Sequence, residues 1–188
     1  MADQFNVLVI CGSLRKGSYN AALTRALPGL APPGMKFVTA PAFETLPLYN
    51  GDMQEVSGFP GPAQDLAAAV RAADGVLFVT PEYNWSMPGG LKNAIDWVSR
   101  PYGDNAWQGK PVAVMGASIG MLGSARAQYH LRQSFVFLNM YPVNQPEVMI
   151  ANASQRFNER GELTDETSRE LIRKLLAELV AWTTRLKG

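Results

Sequence analysis

Glu82, Tyr83 and Asn84 stand together inside Thr80–Trp97 (TPEYNWSMPGGLKNAIDW), directly after the apolar run Gly75–Val79. Three such adjacent groups, with Pro81 before them and Trp85 after, suit a flat heteroaromatic ligand. A second constellation, Gly12–Asn20 (GSLRKGSYN), follows the apolar run Phe5–Cys11. Small residues there let backbone N–H groups point inward, and the helix that follows adds positive potential, so an anion is the natural guest. Ser13, Ser18 and Asn20 add neutral donors, and Arg15 adds a charged fork suited to phosphate oxygens.

Three known phosphate motifs each fail at a nameable position. A P-loop needs Lys after its second glycine, and Ser18 stands there. A dinucleotide fingerprint needs glycine where this chain has Leu14. A cysteine-dependent phosphatase needs Arg six residues after Cys11, and Gly17 occupies that place. What remains is a phosphate monoester held by hydroxyls, amides and one arginine. Joined to a loop that accepts a planar ring, it suggests a mononucleotide with a large heterocycle, and FMN fits best.

The elements that must position these loops alternate. Strands are predicted at Phe5–Cys11, near Lys36–Thr39, at Gly75–Thr80 and at Pro111–Gly116. A fifth, broken by Pro142 and Pro146, lies within Met140–Met149. Helices are predicted at Asn20–Leu30, Ala63–Ala73, Pro88–Arg100 and Ser124–Leu138, with a last one from about Asp165 to Leu186, N-capped by Thr164. Residues 40–62 read as a long surface loop. Five such alternations give α/β architecture: a doubly wound, five-stranded parallel sheet in three layers, order 2-1-3-4-5. That order puts the first and third strands at the topological switch point, and the two unusual loops follow those two strands.

With 188 residues, 47% apolar and 18% charged, the chain is expected to form one domain over residues 1–188. A net charge of +1, with both signs interspersed, points away from nucleic acid and from a membrane as partner. One cysteine, no basic leader and no long apolar run make the cytoplasm the expected compartment. Cys11 ends a strand and reads as a small buried group. His130 is the only histidine, there is no Cys/His cluster, and no metal is expected. His130 itself reads as a solvated or interface residue. Arg126 and Tyr129 lie on one side of their helix, with Leu131, Phe135 and Leu138 mainly on the other, which suits an interface. Lys92 and Asp96 read as an i, i+4 surface pair, and Trp97 as packing.

The GSLRKGSYN and PEYNWSMPGGLKNAIDW segments resemble the NAD(P)H-dependent FMN reductases, especially the bacterial chromate and quinone reductases, over essentially the whole chain. The resemblance implies a flavodoxin-like fold, non-covalent FMN, and a homodimer or homotetramer. It implies electron transfer from NADPH or NADH to a small-molecule acceptor: a quinone, chromate, an azo compound or free flavin. It places Ser13, Arg15, Ser18, Tyr19 and Asn20 around the FMN phosphate, and Pro81, Glu82, Tyr83 and Asn84 along the isoalloxazine, largely through main-chain groups. Ser118 and Gly120 form a third loop. Trp85 lies at the acceptor pocket, where members of the family carry Tyr.

No protein nucleophile is required, because the flavin carries the chemistry. Glu82 is accordingly expected to act structurally through its backbone rather than as an acid. The expected cycle is ping-pong, with donor and acceptor visiting the same face in turn. A flavodoxin-like electron carrier, or an FMN-binding protein without turnover, is the alternative. The balanced charge speaks against the acidic docking face of a carrier.

Overall fold

The computed structural model describes residues 4–188. β1 (Phe5–Cys11) and β3 (Gly75–Val79) run parallel at the centre of the sheet, with Val9 opposite Leu77. β2 (Met35–Thr39) flanks β1, and β4 (Pro111–Ala117) flanks β3. The order is β2-β1-β3-β4-β5, the flavodoxin-like arrangement expected from the sequence. Every residue of β3 and β4 is buried, which is why both read as unbroken apolar runs.

Alternation along the strands divides the core. Leu8, Ile10, Val76, Phe78, Val112 and Val114 pack under α3 (Gly61–Ala72), α4 (Gly89–Val98) and α5 (Ala125–Phe137). Val7, Val9, Leu77, Val79, Ala113 and Met115 pack under α1 (Tyr19–Ala26) and α6 (Glu166–Lys187). Trp97 is fully buried in the first cluster, and its indole N–H donates to the Pro47 carbonyl.

The structure corrects the sequence expectation in four places. The broken fifth strand is two pieces, β5 (Tyr141–Pro142) and β6 (Val148–Ile150), which pair with opposite ends of β4. Pro142 and Pro146 have no N–H to continue one ladder. The predicted loop at 40–62 contains α2 (Gly51–Ser57), capped by Asn50, whose side-chain oxygen accepts from Asp52 N–H at 2.9 Å. None of its residues is buried, so it has no apolar stripe to announce it. The first helix stops at Ala26 and tightens into a 3-10 turn at Leu27–Gly29, where Pro28 sits at the start. Asp165, not Thr164, caps the last helix.

The Asp165 carboxylate accepts from Ser168 N–H at 2.9 Å and from the Ser168 hydroxyl at 2.6 Å, and it pairs with Arg156 at 2.7 Å. The Ser168 hydroxyl, followed by the Ser168 amide and Arg156, outweighs partial burial and holds the carboxyl below the usual carboxylate range. A depressed folded-state pKa makes this stabilisation fully present above the unfolded-chain value of about 4 and lost as pH falls through the folded value. Asp165→Ala is expected to cost about 1 kcal/mol at pH 7 by urea unfolding. The gap between parent and variant should close as the pH falls through the lowered folded-state value.

Candidate functional site

Three loops meet at the carboxyl edge of the sheet, above β1, β3 and β4. The first two touch: Gly12 N–H donates to the Val79 carbonyl at 2.9 Å. A Cβ at Gly12 would lie 3.1 Å from Thr80 Oγ1 and 3.3 Å from Pro81 Cδ, so glycine permits the close approach. The Asn20 side chain crosses to β4, donating to the Ala117 carbonyl at 3.0 Å and accepting from Ala117 N–H at 2.9 Å. The third loop is tied to the segment after β6, with Ser118 N–H on the Ile150 carbonyl and Ala153 N–H on the Ser118 carbonyl, both at 3.0 Å.

Within the first loop the residues divide into supports and open groups. Ser18 is buried and caps α1, its hydroxyl accepting from Asn20 N–H at 3.1 Å and Ala21 N–H at 3.4 Å. Tyr19 packs on Phe157, ring centroids 5.1 Å apart. Ser13 is buried, and its carbonyl receives the Cys11 thiol. Burial pushes that thiol's pKa up, away from the reactive thiolate. The N–H groups of Ser13, Leu14, Arg15, Lys16 and Gly17 make no hydrogen bond among the described residues, nor does the Arg15 side chain. Consecutive open amides, one guanidinium and a capped helix start form a cradle for a phosphate-sized anion. Asn20 belongs to the frame of that cradle, since its side chain is occupied by Ala117.

The second loop is a miniature hairpin. Tyr83 and Ser86 exchange main-chain hydrogen bonds at 2.9 and 3.0 Å, and the two residues between them, Asn84 and Trp85, have φ of 49° and 68°. Both central residues are left-handed, as a type I′ turn requires. Asn tolerates this conformation; a bulky indole does so only under strain of about 1–3 kcal/mol.

Three contacts from α5 hold the strained turn. The Glu82 carboxylate accepts from Arg126 Nε at 2.6 Å, Arg126 N–H at 3.0 Å and Ala127 N–H at 3.3 Å, with Arg126 Nη2 as a further partner. The Arg126 guanidinium lies 4.4 Å from the Trp85 ring centroid. Ser86 Oγ and His130 Nδ1 are 2.9 Å apart. Ser124, which precedes α5, is left-handed at φ 73°, and its hydroxyl accepts from the Gln128 amide instead of capping the helix. Glu82 therefore supplies the cap from another loop, so its structural role is carried by the side chain as well as the backbone.

Along the open side, Tyr83 and Trp85 are 47% and 69% exposed, whereas Pro81 is buried. The Glu82 and Asn84 amides make no hydrogen bond among the described residues. The third loop folds on itself through Gly120 N–H to Ser118 Oγ at 3.1 Å and presents Ile119, Met121 and Leu122 outward. The candidate site residues from the three loops thus gather at one edge of the sheet. Arg126 and Phe157 join them; their contribution is a contact across the fold, with no local motif to mark it.

Residues 5–155 match the family model described as NADPH-dependent FMN reductase. The chain belongs to this family of enzymes. Within the NADPH-dependent FMN reductases it is 51% identical over 188 residues to an NAD(P)H-dependent FMN reductase of Pseudomonas aeruginosa, with both chains fully covered. It is 43% identical to a quinone reductase of Escherichia coli, again over the full length of both. Among solved structures, the FerB flavoenzyme NAD(P)H:(acceptor) oxidoreductase of Paracoccus denitrificans superposes with a TM-score of 0.86 at 36% identity, covering 96% of this chain and 98% of that one. No helix among the described residues is long and apolar enough to cross a membrane.

Proposed function

We propose that the two touching loops hold FMN and that the protein transfers electrons from NAD(P)H to quinones. The observation that carries this is the meeting, at the β1/β3 switch point, of a loop with five open amides and a hairpin with exposed aromatics. Bound there, FMN supplies two-electron chemistry between a reduced nicotinamide and an acceptor. Ser13 and the amides up to Gly17 would donate hydrogen bonds to its phosphate and Arg15 would supply the opposite charge, while Ser18, Tyr19 and Asn20 hold that loop in shape. Pro81, Glu82, Tyr83 and Asn84 offer main-chain groups along the ring edge. The start of α4 adds helix-dipole potential that favours negative charge on that edge. Ser118 and Gly120 close the third side.

Tyr83 and Trp85 border the open face, where donor and acceptor visit in turn, giving ping-pong kinetics. Trp85 shapes the acceptor's approach, so its exchange for Tyr is a determinant of acceptor choice. Chromate, azo compounds and free flavin are further acceptors in reach of such an open face. One domain carries all of these parts, and a cytoplasmic homodimer or homotetramer is the form proposed.

The test is steady-state turnover by FMN-loaded protein. NADPH or NADH oxidation should depend on added benzoquinone and give parallel double-reciprocal lines. Flavin binding with no turnover of either nicotinamide, against any quinone, would leave an electron carrier or a non-catalytic flavin protein instead. Arg15→Ala should weaken FMN binding by about 1.5–3 kcal/mol, roughly 10- to 150-fold, the range for a hydrogen bond to a charged group. Flavin fluorescence quenching reads this directly, and equal affinity removes Arg15 from the site.

A further inference from the structure

A groove leaves the phosphate loop on the side away from the Tyr83–Ser86 hairpin. It begins at Gly17, Ser18 and Tyr19 as a cavity of about 480 Å³ and runs along α1 past Ala22 and Arg25 to Arg160 and Gly161. There it widens into a neighbouring cavity of about 720 Å³ that shares those four residues. The far wall is a small hairpin closed by the Phe157–Leu163 bridge, with Gly161 left-handed at its turn. Ala22 and Ala26 keep the helix wall low, and Leu163 gives an apolar floor. The Arg25 guanidinium reaches this hairpin: a Cβ at Gly161 would sit 3.5 Å from its Nη2.

The charges along the groove are unevenly matched. Glu166 pairs with Arg169 and Arg173, and Glu162 accepts from the Asn158 amide at 2.7 Å. Arg25, Arg160 and the Glu159 carboxylate, which also lines the groove, have no side-chain hydrogen bond or ion pair among the described residues. Two open guanidiniums, with one open carboxylate beside them, thus line a nucleotide-sized space. From Ser18 to Arg25 is seven residues of helix, about 10 Å of rise, so they stand one nucleoside beyond the phosphate loop. Guanidinium groups bind phosphate in a fork and stack on flat rings, and both properties suit a phosphorylated adenosine.

The geometry points to a subsite for the phosphorylated adenosine end of a dinucleotide, read by Arg25 and Arg160. This rests on the reading that a flavin phosphate occupies Ser13–Gly17. The adenylate has two sources: the donor, with its 2′-phosphate at the arginines, or the flavin itself, bound as FAD with its second phosphate leaving the loop at Gly17.

The double variant Arg25→Ala/Arg160→Ala separates these, and both side chains are exposed, so its fold is checked by FMN affinity within twofold of the parent. FMN-loaded parent and variant are titrated with 2′,5′-ADP by calorimetry, and both are challenged with FAD to measure exchange against bound FMN. At least tenfold weaker 2′,5′-ADP binding in the variant, with a matching fall in preference for NADPH over NADH, assigns the groove to the donor. At least a tenfold loss of FAD relative to FMN assigns it to the cofactor. Parent and variant alike in both titrations, or a parent that binds neither ligand, overturns the subsite. If FMN binding then remains sensitive to Arg15→Ala, the phosphate-loop reading stands without it.

Discussion

Glu82→Ala is expected to lower the stability of the protein by about 2–4 kcal/mol. The Glu82 side chain is only 8% exposed, and removing it uncaps two amides of α5 while leaving the Arg126 guanidinium without its carboxylate. A lost cap accounts for about 1 kcal/mol. The broken pair adds less than the 3–5 kcal/mol of a fully buried one, because Arg126 is 34% exposed and partly solvated. For a chain of 188 residues the melting temperature should fall by roughly 5–15 °C. Flavin affinity should fall as well, since the turn carrying Trp85 loses its platform. Glu82→Gln, which keeps an acceptor for the amides but not the charge, should recover about half of the stability. A melting curve unchanged in Glu82→Ala would mean that α5 and the hairpin are held independently.

Gly116→Ala is the second large effect. Gly116 lies in β4, and a Cβ there would overlap the Thr80 carbonyl and the Ser124 hydroxyl. Neither can withdraw cheaply. Thr80 N–H is bound to the Met115 carbonyl at 3.0 Å, and Ser124 is buried in a left-handed conformation that begins α5. The expected cost is about 3 kcal/mol, the upper end for overpacking a closed position, read as a fall in the guanidinium chloride midpoint. The site should feel it too, because Thr80 leads directly into Pro81. A stability loss with FMN affinity intact would show that the displacement ends at Thr80 and does not reach the Pro81–Ser86 loop.

How much of this was legible in the sequence depended on the distance over which each feature is determined. β1, β3 and β4 announce themselves because strands covered on both faces are apolar throughout, and that signal is local. The two loops that meet at the switch point were legible for the same reason: GSLRKGSYN and PEYNW are contiguous. The supports were not. Asn20 looked like a phosphate donor, but its amide holds Ala117, 97 residues away. Glu82 was assigned to its backbone, yet its carboxylate caps a helix 44 residues on. α2 escaped because a solvent-facing helix has no apolar period, although Asn50 before Gly51 was a usable capping signal. The exchange of Thr164 for Asp165 at the last cap is a one-residue matter. Either side chain can cap, and the Arg156 pairing, set by the hairpin before it, decides for Asp165.

The left-handed Trp85 carries a consequence for ligand recognition. With its backbone set by the closed turn and its indole against Arg126, Trp85 has less freedom to lose when a flat molecule lands beside it. The ordering penalty is met when the chain folds rather than at each encounter. A glycine at this position would relieve the backbone yet leave the surface to be organised anew by every ligand. Because part of the restraint comes from Arg126, changes in the first turn of α5 can retune how rigidly this hairpin is held while the hairpin's own residues stay the same.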